Sequence, residues 1–276
     1  MLSLLLACVP EPAAPELDTA ATAAAPARDT ASAGFSVSGL AYDPFSTTEH
    51  GTQGLPAAEG LCVYLADPTP ALATGSAADL DLLAGTATGT SGTFALEGVH
   101  TTSLVGLFLV VDDCDPETDT VSTSITGVTL GDYLDLSDGD LLGDQIALVL
   151  DATILAAIEA SLPYAGFAGS YLEGGAMIGF ALDAEGVPAH GATVVRADGE
   201  PADVYYADAN PLDGLFSAGA AANTATDAYA SAMFLIPGAP LTEWTVAHGE
   251  ASFETVFFGT VPGVTTFFAI NGQPGE

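Results

Sequence analysis

Lysine is absent from this chain of 276 residues, which contains two arginines and a total of 36 aspartates and glutamates. The formal net charge is therefore −34. Such a surface repels phosphate backbones and anionic lipid head groups, which excludes a nucleic-acid-binding function. Cation binding, adaptation to salty water and simple solubility are the remaining explanations of the acidity. The even spread of the carboxylates along the chain favours the last two.

Long apolar runs are also missing, since no stretch approaches the roughly 20 residues that a membrane-spanning helix needs. Hydrophobic residues nevertheless make up 49% of the chain, enough for a core in one large or two ordinary domains. Catalytic motifs are lacking as well: there is no His-Glu-x-x-His pair and no Gly-x-Ser-x-Gly elbow. Carboxylates are too numerous for any one pair to indicate a glycosidase. We expect a protein that is not an enzyme.

Cysteines number only three, and the first of them follows the run LLLA at positions 4–7. Cys8 and the Ala/Pro/Thr-rich stretch after it resemble a bacterial lipobox, whose cysteine is diacylated after signal cleavage. The resemblance implies that residues 1–8 are a signal remnant. It also implies a protein that is exported and lipid-anchored at the bacterial outer membrane or cell surface. Only seven residues precede Cys8 and none is basic, so an upstream start and a chance match are the alternatives.

The other two cysteines, Cys62 and Cys114, form an even pair, which in an exported protein favours a disulfide. It would close a loop of 52 residues (114 minus 62), worth roughly 4 kcal/mol in the chain-entropy model. Two unrelated buried thiols are the alternative. Residues 9–33 are rich in Ala, Pro and Thr and have few large apolar side chains, which predicts a disordered stalk.

The body of the chain repeats itself. Residues 54–67 (GLPAAEGLCVYLAD) align with 186–198 (GVPAHGATVVRAD), and 37–43 (VSGLAYD) align with 178–183 (IGFALD). Downstream, 94–96 (FAL) align with 234–236 (FLI). Two copies of one module are the simplest explanation. We therefore predict a first module at 34–130, a connector at 131–166 and a second module at 167–276.

Both modules are predicted to be all-β, because short runs of period-two hydrophobicity lie between Gly/Pro clusters. We predict two tandem Ig-like or transthyretin-like β-sandwiches. A run at 103–111 is one of the predicted strands. The connector contains one short helix, 151–162, which Asp151 can cap and Pro163 should end.

Two motifs carry a family resemblance. Gly-x-Pro-x-x-Gly-x-x-Val occurs at 186–194, and Thr-x-x-x-Gly-x-Phe occurs at 88–94. They resemble the carboxypeptidase regulatory-like (transthyretin-like) β-sandwich family. The resemblance implies a non-catalytic accessory, binding or spacer module without a conserved catalytic site. Val63 and Val194 should point into the core. The second module departs from the pattern at 227–233, which has no glycine.

Metal binding is suggested by three acidic clusters. One contains Asp112, Asp113 and Asp115, another spans 135–144, and the third contains Asp208, Asn210 and Asp213. Ca²⁺ takes six to eight oxygen ligands, which clustered loop carboxylates can supply. None of the clusters fits the twelve-residue calcium loop. Solvated acidic loops are therefore the stronger alternative for each of them.

Taken as a whole, these features predict a lipid-anchored cell-envelope protein with a non-catalytic structural or binding role. Its exposed loops would contact a glycan, a peptide or a neighbouring surface protein, and its membrane contact would be the lipid at Cys8. The alternative is a carbohydrate-binding or accessory module of an envelope hydrolase system. That alternative needs an open aromatic groove, for which Tyr205, Tyr206, Tyr229 and Trp244 are the candidates.

Overall fold

A computed structural model describes residues 34–45, 47–48, 51–52, 55–57, 59–115, 118, 120–128, 130–207 and 232–273. Within these residues the strands are β1 (Phe35–Asp43), β2 (Thr47–Thr48), β3 (Gly51–Thr52), β4 (Leu55–Pro56), β5 (Leu61–Asp67), β6 (Asp81–Ala87), β7 (Thr93–Val99), β8 (Leu107–Asp113), β9 (Val121–Ser122), β10 (Ser124–Val128), β11 (Leu141–Leu148), β12 (Leu150–Asp151), β13 (Ala176–Leu182), β14 (Thr193–Arg196), β15 (Tyr205–Tyr206), β16 (Met233–Pro237), β17 (Thr242–Ala247), β18 (Val256–Phe258) and β19 (Thr265–Asn271). The α-helices are α1 (Thr69–Thr74), α2 (Leu130–Tyr133) and α3 (Ala152–Ser161), and 3-10 turns lie at Ala77–Asp79, Thr90–Gly92 and Leu162–Ala165. The predicted all-β class is confirmed.

One large sheet runs through both halves of the chain. Its eight strands lie in the order β15-β16-β13-β19-β10-β8-β5-β6. The two halves meet where β10 pairs in parallel with β19, Ile125 lying beside Thr266. The predicted modules therefore share a sheet, in which strands of the first half and strands of the second are hydrogen-bonded neighbours.

Of the four smaller sheets among the described residues, two are the pairs β9–β12 and β2–β3, and the other two pack on the large sheet. In the first half, β1 pairs with β11 on one side and with β7 and β4 on the other. In the second half, β14, β17 and β18 form a three-stranded sheet. Paired residues of two parallel strands point to the same face of a sheet. When the faces are followed across the β10–β19 pair, the core of the first half and the core of the second half lie on opposite faces of the large sheet, and so do the two small sheets.

Strand pairing repeats between the halves. β1 lies between antiparallel β7 and parallel β11, and β13 lies likewise between antiparallel β16 and parallel β19. β5 pairs with β8 as β14 pairs with β17. The halves differ in which sheet is shared, because β5 lies in the large sheet whereas its counterpart β14 lies in a small one.

The turn motifs also repeat their hydrogen bonds. The N–H of Ala57 donates to the carbonyl of Ala41 at 2.8 Å, and that of Ala189 donates to Ala181 at 2.9 Å. Each bond connects the turn segment to the first strand of its half, β1 or β13. The two valines predicted to face the core, Val63 and Val194, are both buried.

The segment predicted as a connector contributes to the core of the first half. Its residues 141–148 form β11, which pairs with β1 over most of its length. The predicted helix is α3, whose N-cap Asp151 accepts a hydrogen bond from the N–H of Thr153 at 2.7 Å. Ile158 and Leu162 are buried against the large sheet, and the closing 3-10 turn begins at Leu162 with Pro163 as its second residue. Among the described residues, no helix is long and apolar enough to span a membrane.

Candidate functional site

The first half exposes an apolar surface at one end. Leu104, Val105 and Leu134 are 72%, 57% and 56% exposed. Leu104 and Leu134 line the same depression, of about 180 Å³, together with residues of the 100–103 loop, and Val105 is the chain neighbour of Leu104. We call these three side chains the apolar patch. Exposed large side chains that cluster in this way mark interaction surfaces more often than isolated ones do.

A buried polar contact holds the two segments of the patch together. Tyr133, at the end of α2, is buried, and its hydroxyl donates to the carbonyl of Ser103 at 3.2 Å. The Ser103 hydroxyl is itself buried and lies 3.0 Å from both a carboxylate oxygen of Asp67 and the carbonyl of Gly106. Burial raises the pKa of Tyr133, so the phenol stays protonated and remains a donor. This hydrogen bond therefore joins the segments that carry Leu104 and Leu134.

Carboxylates border the patch. Asp138 lines the depression and is exposed, and Asp135 and Asp140 lie on the same loop. Asp140 also accepts a hydrogen bond from the N–H of Ser137 at 2.7 Å, which shapes this loop. The surface thus combines apolar contact area with negative charge, which fits a partner that is apolar and basic.

The patch was missed from the sequence because Leu104 and Val105 lie in the run predicted as a strand over 103–111. The strand β8 begins only at Leu107. Gly106 has φ +102°, a conformation that separates the two exposed residues from the strand. A glycine inside an otherwise β-like run was the available signal.

The predicted disulfide is present between Cys62 and Cys114, whose Cα atoms lie 4.9 Å apart. Cys62 lies on β5 and Cys114 directly follows β8, which pairs with β5. The bond therefore fastens two neighbouring strands of the large sheet next to the first acidic cluster.

In that cluster, Asp113 organises the loop that follows β8. Its carboxylate accepts hydrogen bonds from the Thr118 hydroxyl at 2.7 Å, from the N–H and hydroxyl of Thr120 at 2.9 and 2.7 Å, and from the N–H of Asp115 at 3.0 Å. Desolvation raises the pKa of Asp113, but these donors outweigh it and lower the pKa to about 2. Asp112 accepts from the N–H of Asp113 and from the Thr123 hydroxyl.

The remaining metal candidates stay predictions. Asp208, Asn210 and Asp213 lie outside the described residues, as does Cys8 with its predicted stalk. Among the residues that the structure does describe, no group of three or more His, Cys, Asp or Glu side chains is placed to hold a metal ion.

Aromatic candidates for a sugar groove are mostly buried. Trp244 is 0% exposed, and its indole N–H donates to the carbonyl of Phe258 at 3.1 Å. Tyr206 is buried too, and its hydroxyl accepts from the N–H of Val194 at 2.8 Å. Tyr205 packs edge-on against Phe167, and Tyr229 lies outside the described residues. Buried rings cannot stack on a sugar, so Trp244 and Tyr206 form no such groove.

No family model and no curated protein matches the chain. Among solved structures it is similar to the shaft pilin spaA from Lactobacillus rhamnosus GG, at 13% identity over 88% of this chain and 99% of that one, with a TM-score of 0.26. It is also similar to a streptococcal ancillary pilin, at 12% identity over 90% of this chain and 64% of that one, with a TM-score of 0.21. TM-scores this low assign neither a ligand nor a role to this chain.

Proposed function

We propose that this chain is an exported, lipid-anchored protein of the bacterial cell envelope with a non-catalytic binding role. Its apolar patch contacts a neighbouring surface protein. The observation that carries the proposal is the exposure of Leu104, Val105 and Leu134 on segments that the hydrogen bond from Tyr133 to Ser103 joins. Leaving such side chains in water is unfavourable unless a partner covers them.

Three further features support this role. The disulfide fits an oxidising compartment outside the cytoplasm. The Leu-Leu-Ala-Cys run ending at Cys8 provides the lipid attachment site, and residues 9–33 provide a tether. The motifs at 88–94 and 186–194, which resemble carboxypeptidase regulatory-like domains, belong to modules that serve as spacers or binding units.

The contact is tested by photo-crosslinking. A photoreactive amino acid replaces Leu134 in the patch or, as the control, Leu241, which is 46% exposed in the second half. After irradiation of intact cells, we expect one defined crosslinked species from position 134 and none from 241. When Leu104→Ser is combined with the photoreactive amino acid at position 134, the crosslinked species should disappear. Equal crosslinking from both positions would show that the patch has no dedicated partner.

The anchor is tested separately by metabolic labelling with a fatty-acid probe. The full precursor should be labelled, and the variant Cys8→Ser should not. Equal labelling of both proteins, or labelling of neither, contradicts lipidation at Cys8.

A further inference from the structure

The second half contains a larger depression, of about 320 Å³, which is separate from the apolar patch. Two loops line it, the segment 167–174 before β13 and the turn 237–238 at the end of β16. Phe167 supplies an aromatic ring, and Glu173 supplies a carboxylate. The remaining lining residues are mainly glycine, serine and proline, so these two side chains determine what the depression can bind.

Hydrogen bonds connect both loops to neighbouring parts of the second half. Tyr171 is 1% exposed, and its hydroxyl lies 3.3 Å from that of Thr265 at the start of β19. The N–H of Gly263 donates to the carbonyl of Leu172 at 2.8 Å, and that of Gly238 donates to Gly175 at 2.9 Å. A pocket whose walls are already ordered loses little conformational entropy when a ligand binds.

The Phe167 ring is packed against neighbouring residues, whereas the exposed Glu173 carboxylate has no internal partner among the described residues. The Phe167 ring meets Tyr205 edge-on, with centroids 5.8 Å apart, and a Cβ at Gly169 would lie 2.8 Å from its Cζ atom. Glu173 is exposed, and within the described residues its side chain has no hydrogen bond or ion pair. An aromatic ring and a free carboxylate attract the same type of ligand, a cation.

We propose that this depression binds a lysine or arginine side chain presented by a partner protein. The chain itself offers few such groups: of its two arginines, Arg196 is already paired with Asp198. A net charge of −34 attracts basic partners over long range, and the ring with Glu173 provides the local point of contact. This inference is independent of the patch and of the anchor.

The test is a titration followed by NMR. The ¹⁵N-labelled protein receives the peptides acetyl-Gly-Arg-Gly-amide and acetyl-Gly-Lys-Gly-amide, with acetyl-Gly-Glu-Gly-amide as the negative control. We expect saturable shifts for the amides of 167–174 and 237–238 with the cationic peptides. Glu173→Gln and Phe167→Leu should each weaken binding by about two- to fivefold. Phe167→Leu keeps apolar bulk, and its melting temperature is measured alongside.

The matched control is Glu185→Gln, an exposed carboxylate in the turn after β13. It changes the net charge by the same amount as Glu173→Gln but lies outside the depression. We expect it to leave the affinity unchanged. Equal weakening by both variants, or shifts that spread over the surface without saturating, would overturn the proposal by showing only general attraction to an acidic protein.

Discussion

Two glycines at equivalent places show how a single residue shapes each half. Gly39 lies opposite Phe94 across the β1–β7 pair, and Gly179 lies opposite Phe234 across the β13–β16 pair. A Cβ at Gly179 would collide with the Phe234 ring, whereas a Cβ at Gly39 would collide first with the backbone carbonyl of Gln145 on β11 and then with the Phe94 ring. At Gly179 the missing side chain therefore leaves the space that the ring fills, and at Gly39 it also lets the β11 backbone approach closely, which is why a glycine occurs in the middle of each strand.

The variant Gly179→Ala tests this packing. The added Cβ would overlap the Phe234 ring and lie 2.8 Å from Cζ of Phe268, so we expect a loss of about 2 kcal/mol or more in the free energy of unfolding. Gly143→Ala on β11 is the control, because a Cβ added there would have no neighbouring atom within 4 Å. Urea denaturation measures both. Equal stability of the two variants would contradict the packing explanation.

The carboxylate of Asp113 should make the free energy of unfolding depend on pH. Its folded pKa of about 2 is below the value of about 3.9 expected for an unfolded chain. The stabilisation is therefore present above about pH 4 and is lost as the pH falls towards 2. Because the carboxylate is largely solvated, we expect it to contribute about 1 kcal/mol.

Urea denaturation between pH 2 and pH 6 measures this contribution. The variant Asp113→Asn should be less stable than the parent at pH 6 and should approach it near pH 2. Asp79→Asn, in an exposed turn, serves as the control and should follow the parent throughout. A parallel offset of the Asp113 variant at every pH would mean that its ionisation is irrelevant.

Among the elements, α3 depends on a local signal. The side chain of Asp151 satisfies a backbone N–H that the helix itself leaves without a partner. Asp151→Ala should therefore lower the free energy of unfolding by about 1 kcal/mol, and Asp151→Asn should restore most of it. Glu159→Ala on the exposed face of the same helix is the control for loss of a carboxylate. If the Ala and Asn variants unfold at the same urea concentration, the cap contributes nothing.

At the scale of the whole molecule, the shared large sheet predicts cooperative unfolding. The single tryptophan, Trp244, reports on the second half, whereas the disulfide lies in the first. Reduction of the disulfide should lower the melting temperature seen by Trp244 fluorescence by roughly 10 °C. The double variant Cys62→Ala, Cys114→Ala should reproduce the shift without reductant. An unchanged tryptophan transition would show that the halves unfold independently.

Net charge predicts a second property of the whole molecule. At −34 the compact state repels itself, and salt screens this repulsion, so the melting temperature should rise with NaCl. The same titration tests the calcium prediction when CaCl₂ and MgCl₂ are compared at matched ionic strength. A larger rise with CaCl₂ would identify a calcium site. A melting temperature indifferent to NaCl would mean that the charges are too well spaced to matter.

Local patterns in the sequence determined the β class, the disulfide partners, the capped helix and the buried valines of the turn motifs. Each of these features depends on neighbours in the chain or on a single pairing. Period-two hydrophobicity is enough to predict the strands, and an even cysteine count is enough to predict the disulfide. The aligned segments 37–43 and 178–183 likewise became β1 and β13, with the same pattern of partners.

Only the tertiary structure decided how the halves join and which side chains stay in water. The β10–β19 pairing connects residues about 140 positions apart, and no local pattern specifies such a contact. The exposure of Leu104 depends on the bend at Gly106, and the burial of Trp244 depends on the sheet that covers it. Hydrophobicity alone assigns both residues to the core, because burial is determined by what packs against a side chain and not by its type.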